Sequence, residues 1–409
     1  MLSVVLKKLT ISKENIKTVV LHIVAALLIG ILGGALGAGL VHGVHTVTAL
    51  REHNGFVLYF LPLAGLVIIA LYRVFRTSGM GTSQVLESAA GDKKISPWLI
   101  PAVLLGTLLT HLCGGSAGKE GAALQLGGGL AVTLGKLFRA KDETVRLWVY
   151  CGMAALFSAA FGTPITAAVF ALEVVRPGRL PLSAVLPCGI SAVSSYGVAV
   201  LLGAGQDGFV LPTVSMSASV MWRVCVLAVA GALIGKLFCY LLHTGETVFK
   251  RLLKNEWLRV VVGAFLIVVL TLLLGTTMYN GGGIEAVRSI FAGETVDVQA
   301  FLLKIIFTVI TVAAGFKGGE IIPIFFVGGT FGFSFAVLIG LHPLLGTAVG
   351  MMVLFCSTTK CVLATAVLSA ELFYGACFPY LAIAAMLGFA VSGKRGLYGA
   401  QRMDFDMLK

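Results

Sequence analysis

The sequence predicts an all-α polytopic membrane protein built from two related halves, with broken helices near its middle. Three observations predict it. Apolar residues make up 58% of the 409 and charged residues only 12%, where a soluble domain carries about 25% charged residues. Glycine-rich segments interrupt the apolar stretches. Two short motifs then recur at the same separation along the chain.

Long apolar runs cover 19–41, 56–71, 98–109, 147–172, 224–242, 260–274, 301–314, 321–341 and 345–355. A spanning helix needs about 20 apolar residues. Several runs fall short of that, so tilted, re-entrant or broken helices are expected. Lys7, Lys8, Lys13 and Lys17 precede the first run, and Lys394, Arg395 and Arg402 follow the last. The positive-inside rule therefore predicts that both termini are cytoplasmic. Residues 1–18 read as an amphipathic segment on the membrane surface, without a signal-peptide cleavage pattern. The net charge of +12 belongs to such flanking clusters and does not call for nucleic acid.

The glycine-rich breaks are Gly79–Met80–Gly81–Thr82, the stretch from Gly114 to Glu120, and the stretch from Gly315 to Glu320. Each precedes residues able to start a helix. Unwound backbone at membrane depth is tolerated only where it is buried in protein or lines a cavity. The N–H groups and positive dipole end of a helix start attract an anion. Glu120 and Glu320 stand at two such starts. Each is either a helix-start acid or a group that competes with an anion for the same donors and takes up a proton. An intramembrane acid favours function.

The halves emerge from two pairs of motifs. The segment from Ala167 to Glu173 resembles the segment from Thr365 to Glu371, and Glu120 with its glycines corresponds to Glu320 with its own. Both separations are about 200 residues, a spacing that suggests the internal repeat common in secondary transporters. The glycine clusters 127–129 and 328–329 follow in step. The expected division is 1–18, a first repeat over 19–202, a linker over 203–217 and a second repeat over 218–409. Glu173 and Glu371 fall at equivalent ends of apolar helices and are expected to be structural, satisfying backbone donors of a neighbouring helix.

Several chemistries are excluded. The eight cysteines lack CxxC spacing and the seven histidines lack metal spacing, so neither a disulfide framework nor a metal or other cofactor is expected. The Gly114–Glu120 stretch fails the phosphate-loop pattern, because Lys119 is followed by Glu120. No GxSxG elbow occurs, and the six aspartates lie in loops or the tail. The sequence does not read as an enzyme.

The chain resembles the CLC chloride channel and transporter family over nearly its whole length. Residues 115–121, Gly–Ser–Ala–Gly–Lys–Glu–Gly, resemble that family's GxxGxEGP signature. Phe161–Gly162–Thr163–Pro164, continuing to Glu173, resembles its FNAPLAG…LE segment. Gly318–Gly319–Glu320–Ile321–Ile322–Pro323 resembles its GGIFAP signature, and Tyr398 sits where the family's last helix supplies an ion-coordinating tyrosine. The resemblance implies the CLC fold, with two inverted-topology repeats meeting at a central anion site. It implies a homodimer in which each subunit has its own ion path. Glu120 would be the gating glutamate and proton carrier. The anion would lie against Met80, Gly81, Gly118, Lys119, Gly121, Ile321 and Ile322, with Tyr398 on the inner side.

The departures from the family pattern narrow the expectation. Met80 replaces the chloride-coordinating serine of GSGIP, and methionine has no donor for an anion. Val174 stands where chloride/proton members similar in this region carry an inner proton-relay glutamate. Glu320 replaces an apolar residue, Ala122 replaces a proline, and the paired cytoplasmic CBS domains are not expected. These features resemble the fluoride/proton antiporter branch, exporting cytoplasmic fluoride in exchange for inward protons across a plasma membrane. Glu320 would then be a proton-dependent donor at the central site. The alternative is a chloride/proton antiporter or passive anion channel of the same family.

Overall fold

The computed structural model describes residues 13–205 and 208–401. Those residues form sixteen α-helices: α1 (Lys13–His53), α2 (Leu61–Val74), α3 (Thr82–Ala90), α4 (Leu99–Leu112), α5 (Glu120–Leu137), α6 (Asp142–Phe161), α7 (Pro164–Val175), α8 (Leu182–Leu201), α9 (Ala218–Leu252), α10 (Glu256–Leu274), α11 (Ile284–Phe291), α12 (Ala300–Ala314), α13 (Ile321–Ile339), α14 (Pro343–Thr359), α15 (Val362–Leu372) and α16 (Phe378–Ser392). The described residues form no strand, only one isolated antiparallel bridge between Gly118 and Gly319. Among the described residues, seven helical stretches are long and apolar enough to cross a membrane. The protein is multi-pass.

Two apolar runs divide differently from the sequence reading. Residues 147–172 do not form one helix. Gly162 ends α6 in the left-handed conformation, φ 74°, with its N–H donated to Ser158 O. Pro164 then opens α7 at a position where a missing N–H does no harm. At the other end, α1 already begins at Lys13, so the described end of the expected 1–18 segment is continuous with the helix whose candidate span starts at Thr18. Residues 1–12 and Arg402, on which part of the terminal reading rests, lie outside the described residues. So do Gln206 and Asp207 of the expected linker.

Gly203 and Ala204 of that linker bond back to Val200 and Ala199 of α8, whereas residues 208–217 are tied to the second half. Phe209 N–H donates to Leu372 O, and the Phe209 ring stacks on Phe291 at 4.5 Å. The Tyr380 hydroxyl accepts from Ser217 N–H and donates to Ser215 O, both at 2.9 Å. The Ser217 hydroxyl caps the start of α9.

Helices α5, α6, α13 and α14 form the interior, buried on nearly every face. Small residues bring their backbones together, the usual device where lipid supplies no hydrophobic drive between helices. A Cβ on Gly152 would collide with the Gly127 carbonyl, and a Cβ on Gly350 with the Gly328 carbonyl. The first pair joins α5 to α6 and the second joins α13 to α14. The two contacts are counterparts in the two halves.

The acids at the ends of α7 and α15 make the symmetry explicit. Glu173 accepts from Leu363 N–H (3.1 Å) and Ala364 N–H (2.8 Å) at the start of α15. Glu371 accepts from Ile165 N–H (2.9 Å) and Thr166 N–H (2.7 Å) at the start of α7. Each half caps the other with the same residue. Such reciprocity is the mark of a two-fold relation, and the two helices run antiparallel. This is an inverted repeat.

Two expectations follow. Glu371→Ala removes the acceptor of two helix-start amides and destabilises the fold by about 3 kcal/mol, since bonds to charged groups contribute roughly 1.5–3 kcal/mol each. The thermal midpoint in detergent should fall, and Glu371→Gln should recover part of the loss. Gly152→Ala should lower the yield of monodisperse protein on size exclusion, because a methyl there has no space.

Candidate functional site

The second and third glycine breaks face each other at the centre of the molecule. Gly118 N–H donates to Gly319 O and Gly319 N–H to Gly118 O, each at 2.6 Å. This two-residue bridge aligns the starts of α5 and α13. In α13 the first returning amide is that of Ile324, bonded to Glu320 O. Pro323 has no amide, so Ile321 and Ile322 lead the helix with N–H groups that have no intrahelical acceptor. In α5, Ala123 N–H is the first to return, to Lys119 O. The donors of Glu120, Gly121 and Ala122 precede it. Two sets of helix-start amides are thus brought to one seam.

Residues remote in sequence hold this seam. Ser116 N–H donates to Thr311 Oγ1 at 2.9 Å, and the Ser116 hydroxyl meets Thr308 Oγ1 at 3.1 Å. Asn280 Nδ2 donates to Gly114 O at 2.7 Å, and Gly281 N–H donates to Gly115 O at 3.0 Å. Lys304, wholly buried, donates to the carbonyls of Tyr279 (3.0 Å) and Gly281 (2.7 Å). Arg51 donates to His111 O. Lys304 thereby supplies donors to carbonyls of unwound chain, and Arg51 adds one at the end of α4, in a low-dielectric interior where polar groups need partners.

Two cavities meet the seam. One, of about 570 Å³, is lined by Tyr72, Met80, Gly81, Lys317, Glu320 and Tyr398 among others. The other, of about 630 Å³, is lined by Arg51, Gly118, Lys119, Glu120 and Ile322 among others. The sequence-derived candidates therefore divide. Met80, Gly81, Glu320 and Tyr398 share the first cavity, while Gly118, Lys119, Glu120 and Ile322 share the second. Gly121 and Ile321 are buried between them, with Gly121 packed on the Gly319 backbone.

The two acids differ. Glu120 is the first residue of α5 and fully buried, and neither of its carboxyl oxygens has a hydrogen-bond partner. Its side chain folds against Gly118. Glu320 is half-buried, caps α13 without a side-chain bond, and lines the first cavity. Tyr398 is buried with its hydroxyl unpartnered. Its segment is positioned by Leu397 N–H donating to Thr358 O at 2.7 Å.

At the first break, Met80 N–H donates to Thr77 O. Gly81 N–H is already engaged, donating to Gln84 Oε1 at 2.9 Å. Gln125 on α5 donates to Thr82 Oγ1 at 3.1 Å and couples α3 to the central helix. Val174 is fully buried, and its carbonyl accepts from Gln401 Nε2. Glu173 and Glu371 lie in neither cavity. Among the described residues no cluster of metal-ligating side chains occurs.

Sequence reasoning missed Gln84, Gln125, Tyr72, Lys317 and Lys304. Lys304 carried a readable signal, a charge inside the apolar run 301–314. The two glutamines carried none, because only the fold brings them to the seam.

Residues 64–393 match the family described as voltage gated chloride channel. A relative in Pseudomonas syringae pv. tomato, named chloride/fluoride channel protein, is 33% identical, with 92% of this chain and 85% of the relative covered. An H(+)/Cl(-) exchange transporter of Vibrio cholerae is 27% identical over 82% of this chain and 78% of its own. The solved structure of a CLC-type fluoride/proton antiporter superposes with a TM-score of 0.91, at 30% identity, covering 96% of this chain and all of that one (100%). That of a slow cyanobacterial chloride/proton antiporter superposes with a TM-score of 0.79 at 21% identity, covering 92% of this chain and 96% of its own, a likeness of fold. With its inverted repeats, its paired helix starts and these relatives, the chain belongs to the voltage-gated chloride channel family, the CLC proteins.

Proposed function

We propose that this chain is a fluoride/proton antiporter that exports cytoplasmic fluoride in exchange for inward protons. One observation carries the reading. Glu120 is fully buried at the seam of two helix starts, and its carboxyl oxygens have no partner. A carboxylate there stands where an anion would be held by backbone amides. Protonated, it is neutral and can yield that place. Anion and proton then exclude each other at one position, which is the requirement for exchange.

The remaining candidates take roles around that acid. The amides of Ile321 and Ile322, with the Tyr398 hydroxyl, hold the anion from one side. Gly118, Lys119 and Gly121 form the turn that presents Glu120. Met80 offers no donor, and the Gly81 amide already donates to Gln84. Chloride therefore loses two holds that a serine and an open amide would give it, and discrimination by withheld contacts is effective. Fluoride is smaller and a stronger hydrogen-bond acceptor. Glu320 donates to it when protonated and repels it when ionised. Val174 leaves no titratable group at its position, so the proton travels by Glu120 and Glu320. No covalent step is involved, and transport rather than catalysis is the activity. The reading further places the protein as a homodimer in the plasma (inner) membrane with both termini cytoplasmic. The named activities of the chloride/fluoride channel protein and of the fluoride/proton antiporter similar to it support the choice of ion.

Coupling has a chemical rationale. Hydrogen fluoride crosses membranes, dissociates in the more alkaline cytoplasm and leaves fluoride trapped. Exchange against entering protons draws on the proton gradient to reverse that trapping.

The test is paired fluoride and proton flux in proteoliposomes. Glu120→Gln keeps the volume and removes the titration, so coupled proton uptake should fall by about tenfold or more. Persisting coupling in that variant contradicts the assignment. Glu320→Gln should slow fluoride turnover by about tenfold, the worth of one hydrogen bond. If turnover and coupling both stay at the unmutated level, Glu320 has no part in the site.

A further inference from the structure

The cavity that holds Glu320 contains an unexplained cation. Glu246, Lys250, Glu256, Arg259, Lys317 and Glu320 are its charged lining residues. Two of the acids already have partners. Lys250 donates to Glu246 at 2.5 Å, and Arg73 is paired with Glu256. Lys317 makes no ion pair or hydrogen bond through its ammonium among the described residues. Instead the ammonium lies over the Tyr72 ring, 4.4 Å from its centre.

This lysine is not a loose surface side chain. Its backbone N–H donates to Thr110 Oγ1 at 3.3 Å. Gly315, at φ +105°, and Gly318, at φ +157°, set the turn around it in a conformation that favours glycine. A Cβ on Gly106 would touch the Lys317 Cβ and Cγ at 3.3 Å, so the absence of a side chain there makes space for its stem. Tyr72 is 3% exposed, lines the same cavity, and its hydroxyl is buried without a partner. Tyr72 O also accepts from Thr77 N–H at 2.8 Å, in the turn that leads to Met80. An unpaired ammonium and an unpaired phenol are thus fixed in the cavity that Met80 also lines.

We infer that Lys317, with the Tyr72 hydroxyl, forms a docking site for a small inorganic anion in this cavity, ahead of the seam. The anion class follows from the chemistry. An ammonium is a compact, strongly hydrated charge and suits an equally hard, strongly hydrated halide better than a large polarisable one. A cation in a walled cavity also raises the local anion concentration, an effect that weakens with salt. The identification of the anion as fluoride rests on the proposed function. The existence of the site does not.

The measurement is fluoride binding by titration calorimetry on the detergent-solubilised protein, beside fluoride flux in proteoliposomes, for the wild type, Lys317→Met, Lys317→Arg and Tyr72→Phe. Lys317→Met should raise the KM for fluoride by about tenfold at low ionic strength, with less effect in 0.5 M inert salt, as expected for one lost charge. The maximal rate and the proton coupling should hold, Lys317→Arg should restore most of the affinity, and Tyr72→Phe should raise KM by about threefold. Unchanged KM and unchanged binding in Lys317→Met overturn the inference, as does a fall in maximal rate alone. Should Lys317→Met fail to fold, the Arg and Phe variants decide: normal affinity in both contradicts the site. A wild type that moves chloride instead of fluoride sinks the fluoride reading, and the same comparison made with chloride still decides Lys317.

Discussion

Unwound backbone at membrane depth has to find hydrogen-bond partners inside the protein, and most of this structure follows from how those partners are supplied. Hydrocarbon offers none, and each unsatisfied group costs several kcal/mol. The chain breaks its helices in several places all the same. It can do so because each half supplies what the other lacks. Glu173 caps α15 while Glu371 caps α7. Gly118 and Gly319 exchange amides and carbonyls. Thr311, Asn280 and Lys304 hold the unwound chain around it. Neither half is complete alone, so the seam between them is the most determined part of the molecule.

What remains unpartnered at that seam marks the work of the protein. The oxygens of Glu120 and the Tyr398 hydroxyl are buried polar groups without hydrogen-bond partners, and the first amides of α13 have no acceptor within their own helix. Such groups are disfavoured in a packed interior unless something else completes them. Amides call for an anion, and a carboxyl calls for a proton. In the proposed function the carboxylate and the anion alternate at one place beside those helix starts. Met80 has no donor and the Gly81 amide is engaged by Gln84, so in the proposed function neither holds the anion.

Much of this was legible in the sequence. The glycine breaks, the acids that follow them and the paired motifs located the seam, since a charge or a run of glycine in an apolar stretch has few structural explanations. The repeat was visible because the two capping acids must sit at matching ends of matching helices. Its inverted sense could not be read from the similarity of the halves, which carries no direction; the family resemblance implied it, and the reciprocal contacts show it. The division of the candidates between two cavities was equally hidden, because Glu120 and Glu320 have the same flanks but face different spaces. Gln84 and Gln125 lie beside or within ordinary-looking helical segments, and Lys317 lies inside the third glycine break but was overshadowed there by Glu320; what each does depends on what the fold sets opposite it. The helix boundary at Gly162 could have been read from the Gly–Thr–Pro stretch, where a left-handed cap and a helix-opening proline adjoin.

The central claim is that one anion, fluoride, is exchanged for protons across this seam. Its most direct test uses wild-type protein in proteoliposomes with an imposed fluoride gradient and an opposing proton gradient. The account predicts that outward fluoride flux drives protons inward against their own gradient, and that an equal chloride gradient drives almost none. Fluoride leaving with no proton movement, or chloride driving protons as well as fluoride does, would contradict it.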